Sequence, residues 1–98
     1  MIVRIVQMNF DPEKVNEFQL LFEERKHTIR NFTGCKHLEL WQDAHHSNIF
    51  FTYSIWESED SLNHYRFSDF FKDTWSKTKP LFIDKPQAWS VIQKVVLK

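Results

Sequence analysis

The apolar residues of this chain change their spacing in a fixed order, and that order is the strongest constraint on its fold. At the start they recur at every second position. Ile2, Arg4, Val6, Met8 and Phe10 share one face of a strand, and Val3, Ile5, Gln7 and Asn9 share the other. Neither face is cleanly polar, so a strand covered on both sides is expected. From Asp11-Pro12 the spacing becomes three and four, through Val15, Phe18, Leu21, Phe22, Arg25, Ile29 and Phe32. This predicts a helix capped by Asp11, with Pro12 in its first turn, stopping at a left-handed residue near Gly34. Cys35 to Gln42 alternates again, with Leu38, Leu40 and Gln42 on one side and His37, Glu39 and Trp41 on the other. A polar turn leads to Ile49 to Trp56, so the pair reads as a hairpin.

Ser58 is placed to cap the next helix, with Glu59 and Asp60 complementing its dipole. Ser68-Asp69 repeats the start signal, so this helix is expected in two parts, ended by Pro80. A last strand is expected from Gln87 to Leu97. The order is strand, helix, strand, strand, helix, strand. It specifies an α+β, ferredoxin-like βαββαβ fold, an antiparallel four-stranded sheet with two helices on one face. The whole chain, residues 1–98, reads as a single domain. The bare sheet face is apolar on either parity, which points to a homodimer packed sheet to sheet.

Charge and composition remove several functions. Thirteen basic and thirteen acidic residues cancel, leaving no basic face for nucleic acid and no basis for a membrane-surface helix. No apolar run approaches the ~20 residues of a membrane span, and the first ten residues do not read as a secretory signal. The single cysteine, Cys35, excludes an internal disulfide, and a cytoplasmic location is expected. One glycine is too few for a Gly-rich phosphate loop. Aromatic residues make up 16% of the chain, which suggests a packed core or a pocket lined with rings.

Nearly the whole chain resembles the antibiotic biosynthesis monooxygenase (ABM) domain family of dimeric α+β barrel proteins. The resemblance is carried by the opening strand with Asp11-Pro12-Glu13-Lys14-Val15-Asn16-Glu17-Phe18, by Gly34-Cys35, by Trp41-Gln42-Asp43, and above all by Tyr53-Ser54-Ile55-Trp56-Glu57-Ser58 followed by Leu62. It implies a cytoplasmic homodimer with a pocket between sheet and helices, the second helix forming a wall. Some members oxygenate phenolic or quinol-like substrates without metal, flavin or haem. Others open the haem ring, and one lineage isomerises a phosphorylated sugar. The tryptophan that members carry before the second helix falls on Trp56. A histidine nine residues later falls on Tyr65, and a second histidine of some members falls on Phe70. The haem-ligating histidine of the haem-degrading lineage falls on Trp75, so haem cleavage is the least expected activity.

The candidate site follows from these positions. Trp56 would stack on a flat aromatic substrate, with Phe70, Phe71 and Trp75 as further substrate-binding rings. One step along a helix turns a side chain by ~100°, so His64 and Tyr65 cannot both face one cavity. Tyr65, three residues after Leu62, lies on the buried stripe and is the catalytic candidate that would orient a substrate oxygen, while His64 is the candidate acid or base. Asn9 on the first strand would orient a substrate oxygen, as polar groups of that strand do in family members. His45-His46 sits in a solvated turn, and no metal is expected there. His37 and Glu39 read as a salt link or a dimer contact, and Cys35 as a buried thiol. The expected function is cofactor-independent oxygenation of a small aromatic or quinol-type molecule. The alternative is a dimeric, non-catalytic binding or stress-related protein using the same pocket.

Overall fold

Most changes of spacing fall at or near an element boundary in the computed structural model, which describes residues 1–98. Strand β1 spans Ile2–Asn9, and helix α1 spans Val15–Arg30 after a short 3-10 turn over Pro12–Lys14. Strands β2 (Cys35–Gln42) and β3 (Ile49–Trp56) form the hairpin. Helices α2 (Glu59–Arg66) and α3 (Asp69–Thr78) follow, and β4 (Gln87–Val91) closes the order. The sheet runs β2-β3-β1-β4 with every neighbouring pair antiparallel. This is the ferredoxin-like α+β arrangement.

The caps form as the side chains dictate. Asp11 accepts the Glu13 amide, Ser58 accepts the Ser61 amide, and Ser68 accepts the Phe71 amide. Ser68 also donates its hydroxyl to the Tyr65 carbonyl at 2.6 Å, so one residue closes α2 and opens α3. Two boundaries differ from expectation. Helix α1 ends at Arg30, four residues before Gly34, with Asn31 donating to the His27 and Ile29 carbonyls. Gly34 instead makes the turn into β2 with φ +88°, and a Cβ there would lie 2.5 Å from Ser61 Cβ. Strand β4 stops at Val91, not Leu97, because its ladder with β1 runs from Gln7↔Gln87 to Val3↔Val91 and no other strand borders it.

Strand β2 carries a bulge at Lys36, between the pairs Cys35↔Trp56 and His37↔Ile55. The extra residue lets Cys35 and Leu38 both face the helices while His37, Glu39 and Trp41 face away. Two buried clusters then form between sheet and helices. Met8, Phe10, Phe18, Phe50 and Leu81 make one, and Ile29, Cys35, Trp56, Leu62 and Tyr65 make the other. Each large apolar side chain so buried contributes about 1.5–3 kcal/mol.

Candidate functional site

A cavity of about 300 Å³ lies between the sheet and the helices and is bounded by members of both clusters. Strand parity decides its floor. Arg4, Val6 and Met8 point up from β1, and Thr52, Ser54 and Trp56 point up from β3. The helices supply its roof, chiefly Phe22 from α1, Leu62 and Tyr65 from α2, and Phe71 and Trp75 from α3. Its size is at the lower end of small-molecule sites, enough for a compact ring system.

The rings are in contact with one another. Trp56 and Tyr65 stack at 4.8 Å with a 25° interplanar angle. Phe71 meets Tyr65 edge-on at 5.1 Å and stacks with Trp75 at 5.8 Å. Trp56 is 1% exposed, and its indole N–H donates to Ser54 Oγ at 2.9 Å. With one face taken by Tyr65, Trp56 is a wall rather than an open stacking platform. Phe71 and Trp75 are only half-buried and offer more ring surface.

Tyr65 is the one phenol at the cavity. Burial pushes its pKa well above the ordinary tyrosine range, and the neighbouring Cys35 adds to the rise. The phenol is therefore neutral and a donor. No side-chain hydrogen bond engages its hydroxyl, yet the protein has no inaccessible side-chain polar atom without a partner. The hydroxyl therefore meets accessible space, with its donor unspent.

Three sequence candidates lie outside the cavity. Asn9 shares the parity of Val3 and Ile5, so its side chain is on the far face of the sheet, where its Oδ1 accepts from Gln7 Nε2 at 3.4 Å. His64 is exposed and borders a shallow cleft with His27 and Phe32, its ring 5.7 Å from that of Phe32. The ~100° step between positions 64 and 65 separates them as helix geometry requires. Phe70 packs toward α1, with the Arg25 guanidinium 5.7 Å from its ring centre. Trp56, Tyr65, Phe71 and Trp75 are brought together.

No Asp, Glu or His lines the cavity. Nowhere in the molecule do three His, Cys, Asp or Glu groups converge as a metal cluster would require. The His46 ring instead bonds Asp43 in the hairpin turn, and His37 bonds Glu39 on the far sheet face. No helix is long and apolar enough to cross a membrane.

A family model described as antibiotic biosynthesis monooxygenase matches residues 1–76. The chain belongs to the antibiotic biosynthesis monooxygenase family. A solved structure described as an antibiotic biosynthesis monooxygenase superposes with a TM-score of 0.89 at 16% identity, covering 95% of this chain and 98% of that one. A conserved protein from Methanosarcina mazei Go1 is similar at 0.89 and 23% identity, covering 96% and 94%. A Mycobacterium tuberculosis protein gives 0.89 at 13% identity, covering 99% and 98%. At these identities the likeness is one of fold. No curated protein sequence matches the chain.

In this family member, sequence reasoning missed two cationic lining residues, Arg4 and Arg66. A signal for Arg4 existed, since it shares the inward parity of Val6 and Met8. Arg66 follows Tyr65 at the last position of α2, where a basic residue also suits the helix dipole. Nothing in the sequence joins positions 4 and 66.

Proposed function

We propose that this protein is a monooxygenase needing no cofactor, acting on a small aromatic or quinol-type molecule held between sheet and helices. The observation that carries the reading is the ring-walled cavity lined by Tyr65, whose hydroxyl is accessible and has no protein partner. Family membership supports the same chemistry. Phe71 and Trp75 hold the flat body, and Tyr65 donates a hydrogen bond to a ring oxygen. An electron-rich phenolate passes electrons to O₂ directly. For an anthrone-type methylene the balance is CH₂ + O₂ → C=O + H₂O. One oxygen atom enters the carbonyl, and the other leaves as water with both hydrogens. The surrounding apolar walls keep bulk water from the intermediate.

Oxygen uptake with a panel of quinols and anthrones tests this. Wild type is expected to consume O₂, with Tyr65→Phe slowed about tenfold to a hundredfold, the scale of one hydrogen bond to a charged oxygen. No uptake on any substrate sinks the oxygenase reading. It would leave the second reading, a binding protein that uses the cavity without turnover. That reading is favoured by one observation, the lack of any carboxylate or imidazole base at the cavity wall.

The sheet face away from the helices is proposed to pair with a second copy. Supporting this, Ile5, Phe51, Tyr53 and Ile55 form an apolar centre there, with Trp89 43% and Trp41 39% exposed beside it. A sedimenting mass of 12.0 kDa at micromolar concentration would contradict it. A cytoplasmic location belongs to the same proposal. The one cysteine, a free buried thiol, supports it, and a cell-fractionation blot checks it.

A further inference from the structure

The charge at the cavity wall is one-sided. Arg4 and Arg66 are its only charged lining residues, and no carboxylate shares the wall with them. Four other cations, Arg25, Lys26, Lys36 and Lys77, sit in ion pairs. Arg25 bonds Asp73 at 2.8 Å, Lys26 bonds Glu23 at 2.6 Å, and Lys77 lies 3.5 Å from Asp73. Neither cavity guanidinium joins any ion pair. The one hydrogen bond of the Arg4 head runs to a neutral hydroxyl, Ser90 Oγ, at 3.0 Å. Arg66 has no side-chain partner at all. The two line one cavity, and burial first and the Arg66 charge second lower the Arg4 pKa from its ordinary value.

Such an arrangement works against folding. Arg4 stands mid-strand on the buried parity, half-withdrawn from water, beside a like charge. Structural arginines at such positions normally meet a carboxylate. These two instead line an apolar, ring-walled space with several N–H donors unspent, the Arg4 head reaching the exposed Ser90 hydroxyl at its edge. A delocalised oxyanion on a flat ring would meet both needs, neutralising the charges while its body lies against Phe71 and Trp75.

We propose that Arg4 and Arg66 form an oxyanion-binding end of the cavity, which selects flat aromatic ligands carrying an ionised ring oxygen or carboxylate over their neutral counterparts. The proposal rests on the reading of the cavity as a small-aromatic site. It also answers the missing base. Two guanidiniums favour the ionised form of a bound phenol, so its proton leaves to solvent without a carboxylate or imidazole to receive it. The electron-rich anion is then the form that is held.

The test is a binding comparison that needs no turnover. Quenching of tryptophan fluorescence at neutral pH gives the affinities of 1-naphthoate and of neutral 1-naphthalenemethanol. Wild type is expected to bind the carboxylate about tenfold or more tightly, the scale of a charge-assisted hydrogen bond. Arg66→Gln and Arg4→Gln should each bring the two affinities to within about threefold, while Arg4→Lys, which keeps the charge, retains most of the preference. The visible absorbance of bound 4-nitro-1-naphthol reports phenolate stabilisation separately. A lowered ionisation midpoint that rises again in both Gln variants supports the phenolate arm. Equal binding of the two naphthalenes together with an unshifted midpoint overturns the subsite and leaves the cavity reading standing. A preference that survives both Gln substitutions also overturns it. If no probe binds at all, the cavity reading falls and the subsite with it. Loss of oxygen uptake alone touches neither affinity ratio.

Discussion

Tyr65 shows how one residue can carry both a stability signature and a site. Its phenol is held neutral by burial, so its folded-state pKa lies above that of the unfolded chain. The sign follows directly. The contribution to stability is fully present below the unfolded value near 10 and is lost as pH rises beyond it. Cys35, whose thiol burial also pushes upward, acts in the same direction. Thermal unfolding followed from pH 8 to 11 should therefore show a steep alkaline decline. Tyr65→Phe should flatten it while changing neutral-pH stability by less than about 1 kcal/mol, since the hydroxyl has no protein partner to lose. An unchanged alkaline slope would refute the assignment. Gly34 makes the opposite kind of demand. At φ +88° against Ser61, Gly34→Ala should cost about 2 kcal/mol or more in urea unfolding. Adding Ser61→Gly should recover the steric part of that loss and leave the backbone part.

At the level of elements, side chains that act on their neighbouring backbone were legible in the sequence, and features that need a partner from elsewhere were not. Ser58 and Ser68 declared their helix starts because a serine cap binds an amide three residues on. The division into α2 and α3 follows from that local chemistry alone. Ser68→Ala should cost about 1–2 kcal/mol, more than Ser58→Ala, because only Ser68 also ties down the Tyr65 carbonyl. Urea midpoints of the two variants rank them, and the reverse order would contradict the double role. The separation of His64 from Tyr65 was also legible, as a rotation along one helix. Strand parity also set Asn9 on the opposite side from Arg4, but which side meets the helices was not legible. Asn9 enters as a site residue only through the family resemblance, and the structure sets it on the far face beside Gln7. The end of β4 at Val91 was hidden, since Ile92, Val95, Val96 and Leu97 are as β-favouring as the strand itself. Only the extent of the β1 ladder stops it.

For the whole molecule, the sheet divides two environments that the sequence alone could not tell apart. Both sets of faces carry apolar residues. On the helix side they enclose a cavity with two guanidiniums. On the other side, Tyr53 stacks with Trp41 at 4.8 Å and meets His37 edge-on at 5.7 Å. Trp41 Nε1 donates to Glu39 at 2.7 Å, and His37 and Trp41 together hold the exposed Glu39 carboxyl below its usual pKa. If this surface joins two copies, a charge at its centre separates them without emptying the core. Ile5→Lys should sediment at 12.0 kDa and lose the concentration dependence of thermal unfolding that a dimer shows. A variant that still associates would place the contact elsewhere.

The bulge at Lys36 has a consequence for chain length. Cys35 faces the helices, His37 faces away and Leu38 faces the helices again, so Lys36 is the residue that ordinary alternation would omit. Its removal leaves every later residue of β2 on its present side. Removal of any one residue from the run between His37 and Leu40 shifts the frame of its neighbours instead, turning leucines toward water or an imidazole and an indole toward the cavity. The strand therefore has one position where a deletion is silent in orientation, and it lies at the rim of the sheet, two residues past the only glycine.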